Sequence, residues 1–153
     1  MKYEILLEEA FKEGLIVKEK PLKYNDGRIK GNKVAIRKNI ETNTKKACVL
    51  AEELGHHFTT VGDILNQDEV SNRKQERVAR GWAYNKLVPL EDIKHAYRSG
   101  YIELYEMAEY LEVDESFLKE SLEYYQQKYG PGLFQEKEAD MLSDLLKILE
   151  ERT

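Results

Sequence analysis

Apolar positions recur at helical spacing over most of the chain, and the exceptions cluster near its start. Residues 3–12 read as a short amphipathic helix that Gly14 ends. Residues 15–18 (LIVK) suit a short strand, and Pro21 and Asn25-Asp26-Gly27 are turn chemistry. Residues 28–36 alternate around Gly31-Asn32, the pattern of a β-hairpin. A helix over residues 45–59 follows, capped by Thr42, Asn43 or Thr44, with Ala47, Leu50, Leu54 and Phe58 as its apolar stripe. Gly55 inside that helix costs about 1 kcal/mol relative to Ala, so close approach of another element is expected there.

The next helix spans residues 69–86, with Val78, Ala79, Trp82, Ala83 and Leu87 apolar, and Pro89 stops it. Shorter helices are expected over residues 90–97, 102–111 and 114–125, and a last amphipathic one over 134–150 beyond Gly130-Pro131-Gly132. The pattern predicts an α+β fold: a small N-terminal antiparallel sheet with a mainly helical body. The expected division is a domain over 1–130, whose part at about 90–129 is helix-turn-helix-like, and a C-terminal helix over 131–153.

Composition narrows the class. The chain has 153 residues, enough for one domain with its own core. Its N-terminal stretch carries acids within the apolar run, unlike a signal peptide, and no apolar run of about 18 residues spans a membrane. A single cysteine, Cys48, excludes an internal disulfide and suits the cytoplasm. The net charge of −5 argues against general nucleic-acid binding.

The chemistry concentrates in Glu52-Glu53-Leu54-Gly55-His56-His57. A metallopeptidase helix presents His-Glu-x-x-His, whose two histidines lie one turn apart and reach one metal ion while the Glu activates water. Here Glu53 and His56 occupy the Glu and second His slots, and Glu52 stands in the first. A carboxylate can replace an imidazole as a zinc ligand. It makes the site harder, so Mn²⁺ or Fe²⁺ competes better with Zn²⁺. His57 is an alternative ligand, one turn from Glu53. Taken alone, the cluster is also what any solvated helix face shows. Glu76 alone is equally a surface residue paired with Arg73 or Arg80.

Two helices together say more. Glu76, Ala79, Trp82, Ala83, Leu87 and Pro89 follow a pattern Glu-x-x-Ala-x-x-aromatic-Ala ending in Leu-x-Pro. With the motif helix before it, this resembles the ImmA/IrrE family of metallopeptidases of phages, mobile elements and stress-response loci. The resemblance covers roughly residues 31–125. It implies a zincin-like minimal metallopeptidase fold, with Glu52, His56 and Glu76 as metal ligands and Glu53 as the catalytic base. It further implies a cytosolic endopeptidase, Zn²⁺ being the expected metal, that cleaves or inactivates a helix-turn-helix (Xre-like) repressor. An edge strand beside the metal would pair with extended substrate, and residues 33–38 are the expected strand, with Val34 and Ile36 contacting substrate.

Two rival readings stand beside this one. A protein of the same fold without catalysis would inactivate its repressor by docking alone. The pattern Met107-Ala108-x-x-Leu111-x-Val113-Asp114-x-x-Phe117-Leu118 also looks like a helix-turn-helix, the mark of a DNA-binding regulator. Against that, Glu103, Glu106, Glu109, Glu112, Asp114, Glu115, Glu120 and Glu123 face only Lys119 over residues 103–125. Phosphates repel such a surface, whereas a basic protein domain is attracted to it.

Overall fold

The computed structural model describes residues 1–60, 69–130, 145–147 and 150. It divides into two compact units, residues 1–87 and 88–153.

In the first unit, α1 (Lys2–Lys12) buries Tyr3, Leu6 and Ala10, one helical face. Gly14 at φ +79° closes it: its N–H donates to the Phe11 carbonyl, and that of Leu15 reaches back to Ala10 at 3.0 Å. This is a Schellman close, and the left-handed position suits glycine. The chain then runs through β1 (Ile16–Lys20), β2 (Gly27–Lys30) and β3 (Lys33–Arg37). β2 and β3 form the expected hairpin, paired antiparallel through Gly31-Asn32, with Gly31 at φ +59° as the first turn residue of a two-residue loop. β1, however, pairs in parallel with β3, so the sheet is mixed and its order is β1-β3-β2. The connecting segment carries the chain from one edge to the other. Arg37 anchors it, with Nε 3.3 Å from the Asn25 carbonyl and 3.5 Å from the Asp26 carboxylate.

α2 (Asn43–Thr59) starts at Thr42, whose Oγ1 accepts from the Lys45 N–H at 3.1 Å. It buries Ala47, Cys48, Val49, Leu50, Ala51, Leu54 and Gly55 among α1, the sheet and α3 (Glu69–Leu87). Lys2 Nζ caps the last turn of α3 through the Leu87 carbonyl at 2.7 Å.

Gly55 has the reason expected of it. A Cβ there would strike the Ala79 carbonyl oxygen of α3 and lie 3.0 Å from its carbonyl carbon. Backbone meets backbone, so only small residues fit this contact. Larger neighbours are displaced to its rim, which corrects two expectations: Phe58 is 42% exposed and Val78 55%. Phe58 instead stacks on Trp82, ring centroids 5.1 Å apart.

In the second unit, α4 (Leu90–Arg98) follows Pro89, and α5 (Leu104–Leu111) meets α6 (Glu115–Tyr129) through a turn with Glu112 at φ +57°. Ile93, Met107, Leu111, Phe117, Leu118, Leu122 and Tyr125 make its core. The Tyr125 hydroxyl donates to the Val88 carbonyl at 2.8 Å, which satisfies a polar group that burial otherwise penalises. The helix expected over 134–150 lies mostly outside the described residues; residues 145–147 and 150 are helical. Among the described residues, no helix is long and apolar enough to cross a membrane.

Candidate metallopeptidase site

The close contact of α2 and α3 builds the site. His56 follows Gly55, and Glu76 lies one turn before Ala79, so pressing Gly55 onto Ala79 sets these two side chains against each other. His56 Nε2 stands 3.2 Å from Glu76 Oε1. The second Glu76 oxygen lies 3.9 Å from Arg80 Nε, so the ion pair expected of a surface residue exists alongside the His56 contact. His57, the alternative ligand, has Nε2 3.8 Å from Glu13 Oε2.

Glu53 sits one turn ahead of His57, half-buried against β2. The strand approaches so closely because Gly27 carries no side chain. A Cβ at Gly27 would come within 2.6 Å of Val49 Cγ1 and 3.0 Å of Glu53 Oε1. Burial, then the nearby carboxylates of Glu52 and Glu76, pushes the Glu53 carboxyl up to about 7.

A cleft of about 660 Å³ opens here, with Glu53, His56, His57 and Glu76 in its wall beside Ile29 of β2 and Gln75 of α3. Glu52 does not line it; it is half-buried next to Glu53. Among the described residues, no three His, Cys, Asp or Glu side chains form a group that could hold a metal ion. Two of the expected donors do suit one. Bonds of about 2.0–2.2 Å in a zinc tetrahedron put neighbouring ligand atoms about 3.3–3.6 Å apart, close to the His56–Glu76 separation. Glu52 lies one turn before His56 on α2, on the same side of the helix.

The substrate strand is the expectation that changes. β3 is the central strand, hydrogen-bonded on both sides, and Val34 and Ile36 are 2% and 0% exposed. Both side chains belong to the core under α2. β2 is the edge strand on the cleft side, and sequence reasoning missed it because Gly27 was legible only as a turn residue. Arg37 N–H donates to the Asp26 carbonyl, so Asp26, Arg28 and Lys30 point their backbone groups at β3. Gly27 and Ile29 therefore point theirs outward.

Cys48 is buried, as expected of a packed thiol. His95 is exposed on α4, as expected of a surface histidine.

No curated protein and no solved structure matches the chain. The family model of the IrrE N-terminal-like domain, a peptidase family, matches residues 9–123. That span includes the sheet, both site helices and most of the second unit, so the α2–α3 arrangement and the family match agree: the chain belongs to the ImmA/IrrE peptidase family.

Proposed function

We propose that this protein is a metal-dependent endopeptidase of a phage or other mobile element, acting in the cytoplasm on a helix-turn-helix repressor. The observation that carries the reading is a half-buried carboxyl, Glu53, in a cleft wall shared with the His56–Glu76 pair. A carboxylate so placed can act as general base toward a water in the cleft. His56 and Glu76, joined by Glu52, would hold the metal. A Zn²⁺ ion, or Mn²⁺ or Fe²⁺ given two carboxylates, would supply Lewis-acid polarisation of the scissile carbonyl. Glu53 takes a proton from the attacking water and delivers it to the leaving amine. The outward backbone groups of Gly27 and Ile29 are available to pair with an extended substrate segment and hold it along the cleft.

The test uses protein expressed with supplemented Zn²⁺ or Mn²⁺ and a helix-turn-helix repressor from the same genome, with intact mass as the readout. Glu53→Gln is expected to retain the metal, by elemental analysis, and to lose cleavage. A fully active variant removes Glu53 from this role.

A second reading is favoured by one sequence fact, the carboxylate in the first ligand slot. The protein would then inactivate its repressor by docking alone, the acidic stretch at residues 103–125 attracting a basic DNA-binding domain. Only traces of transition metal after supplemented expression, together with repressor binding and no cleavage, would establish it.

A further inference from the structure

The solvent face of the sheet carries a charge pattern opposite to that of the whole chain. Register puts Lys18 of β1, Ala35 of β3 and Arg28 of β2 in one row, and Ile16, Lys33 and Lys30 in the next. Lys20 lies beside Arg37 at the end. Side chains alternate across a strand, so Val34 and Ile36 point the other way, into the core. Glu19 also leaves this face, paired with Lys46 of α2. Arg37 is engaged by Asp26. The remaining five cations are exposed and make no ion pair among the described residues. They rim a shallow groove of about 430 Å³ floored by Ile16 and Ala35.

Lys30 and Lys33 are direct cross-strand partners. Like charges placed directly opposite destabilise a sheet, and among the described residues neither lysine makes an ion pair.

We propose that this face binds the phosphate backbone of nucleic acid without reading base sequence. The net charge of −5 does not oppose it. At physiological salt the Debye length is about 8 Å, so a phosphate on the sheet responds to the local cations and little to acids elsewhere. Same-face side chains repeat about every 6.6–6.8 Å along a strand and about 4.8 Å across strands, a regular lattice of positive charge. Duplex DNA offers one negative charge per about 1.7 Å, and displaced counterions drive the association. An acidic protein fits less well. Protein interfaces rest on apolar or aromatic anchors in a desolvated centre, and the groove floor offers only an isoleucine and an alanine.

The experiment is fluorescence anisotropy of the full chain with a labelled DNA duplex of arbitrary sequence, titrated in salt. Neutralising three to five phosphates gives a log–log slope of about −3 to −4.5. Lys18→Gln with Lys30→Gln should lower the slope magnitude by about 2 and the affinity by about 100-fold at 50 mM salt. Lys12→Gln on α1 should change neither. A second pair, Arg28→Gln with Lys33→Gln, should repeat the loss, and each pair, relieved of the Lys30–Lys33 repulsion, should melt no lower than the parent. No binding at 50 mM salt, a flat salt response, or double variants that bind like the parent would overturn the proposal. Binding of poly-glutamate without binding of duplex would assign the face to an acidic protein instead.

Discussion

Replacing Gly55 by alanine probes the contact that assembles the site. On an exposed helix surface this change stabilises by about 1 kcal/mol, because alanine is the better helix former. Here the added Cβ would overlap the Ala79 carbonyl oxygen and sit 3.0 Å and 3.3 Å from the Ala79 carbonyl carbon and Cα. Ordinary contact needs about 3.5–4.0 Å, and the obstacle is helix backbone, with no rotamer to yield. The two helices must separate by up to about 1 Å. Overpacking of this kind costs about 1–3 kcal/mol and occasionally more. A backbone obstacle puts the cost in the upper part of that range, about 2–3 kcal/mol, so after the propensity gain of about 1 kcal/mol a net loss of roughly 1–2 kcal/mol remains. For a chain of this size, each kcal/mol moves the melting temperature by about 2–4 °C, so a fall of about 2–8 °C is expected. Urea titration followed by fluorescence of Trp82, the only tryptophan and a residue of α3, reports this unit alone. A variant that melts above the parent would refute the close packing of Gly55 on α3, and with it the reason His56 meets Glu76.

Three further outcomes follow from the same geometry. In metal-free protein, the folded state holds the Glu53 proton more tightly than an ordinary carboxyl at 4.5. The stability it contributes is therefore complete below about pH 4.5 and disappears as pH rises through about 7. At about 1.4 kcal/mol per pH unit, that interval is worth at most about 3 kcal/mol, so Glu53→Gln should match the parent near pH 4.5 and exceed it at pH 8 in urea titrations with chelator. An equal gap at both pH values would contradict it. Gly27→Ala should cost roughly 1–2 kcal/mol, by thermal melting, since its Cβ meets Val49 and Glu53 across the β2–α2 contact; an unchanged melting temperature would count against that packing. Leu118→Ala, in a site with no exposed surface, should cost about 2–5 kcal/mol by loss of helical circular dichroism in urea; a loss under about 1 kcal/mol would mean that its surroundings collapse around the gap.

Helices and hairpin were legible because their information is local. Leu50 and Leu54 recur at helical spacing, Thr42 can accept an N–H wherever the helix begins, and Gly31-Asn32 turns a hairpin with no help from the rest of the chain. The interior of α2 carried a tertiary hint in Gly55, since a glycine in mid-helix demands a neighbour. The sequence does not say which face of the neighbour arrives, and periodicity alone puts Phe58 and Val78 in the core. In the structure they stand at the rim because the Gly55–Ala79 contact is too close for them.

The motif helix, the Glu76 helix and the α+β class were determined by the amino-acid order itself, since spacing along one helix fixes which side chains share a face. Strand order was not. A parallel β1 slipped in beside β3 makes β3 the centre of the sheet and buries Val34 and Ile36, and no periodicity within β3 distinguishes a central strand from an edge. The position of β2 against Glu53, the rise of that carboxyl to about 7 and the gathering of five cations on one sheet face all depend on residues distant in the chain. Electrostatics and burial act through space, so only the packed chain could decide them.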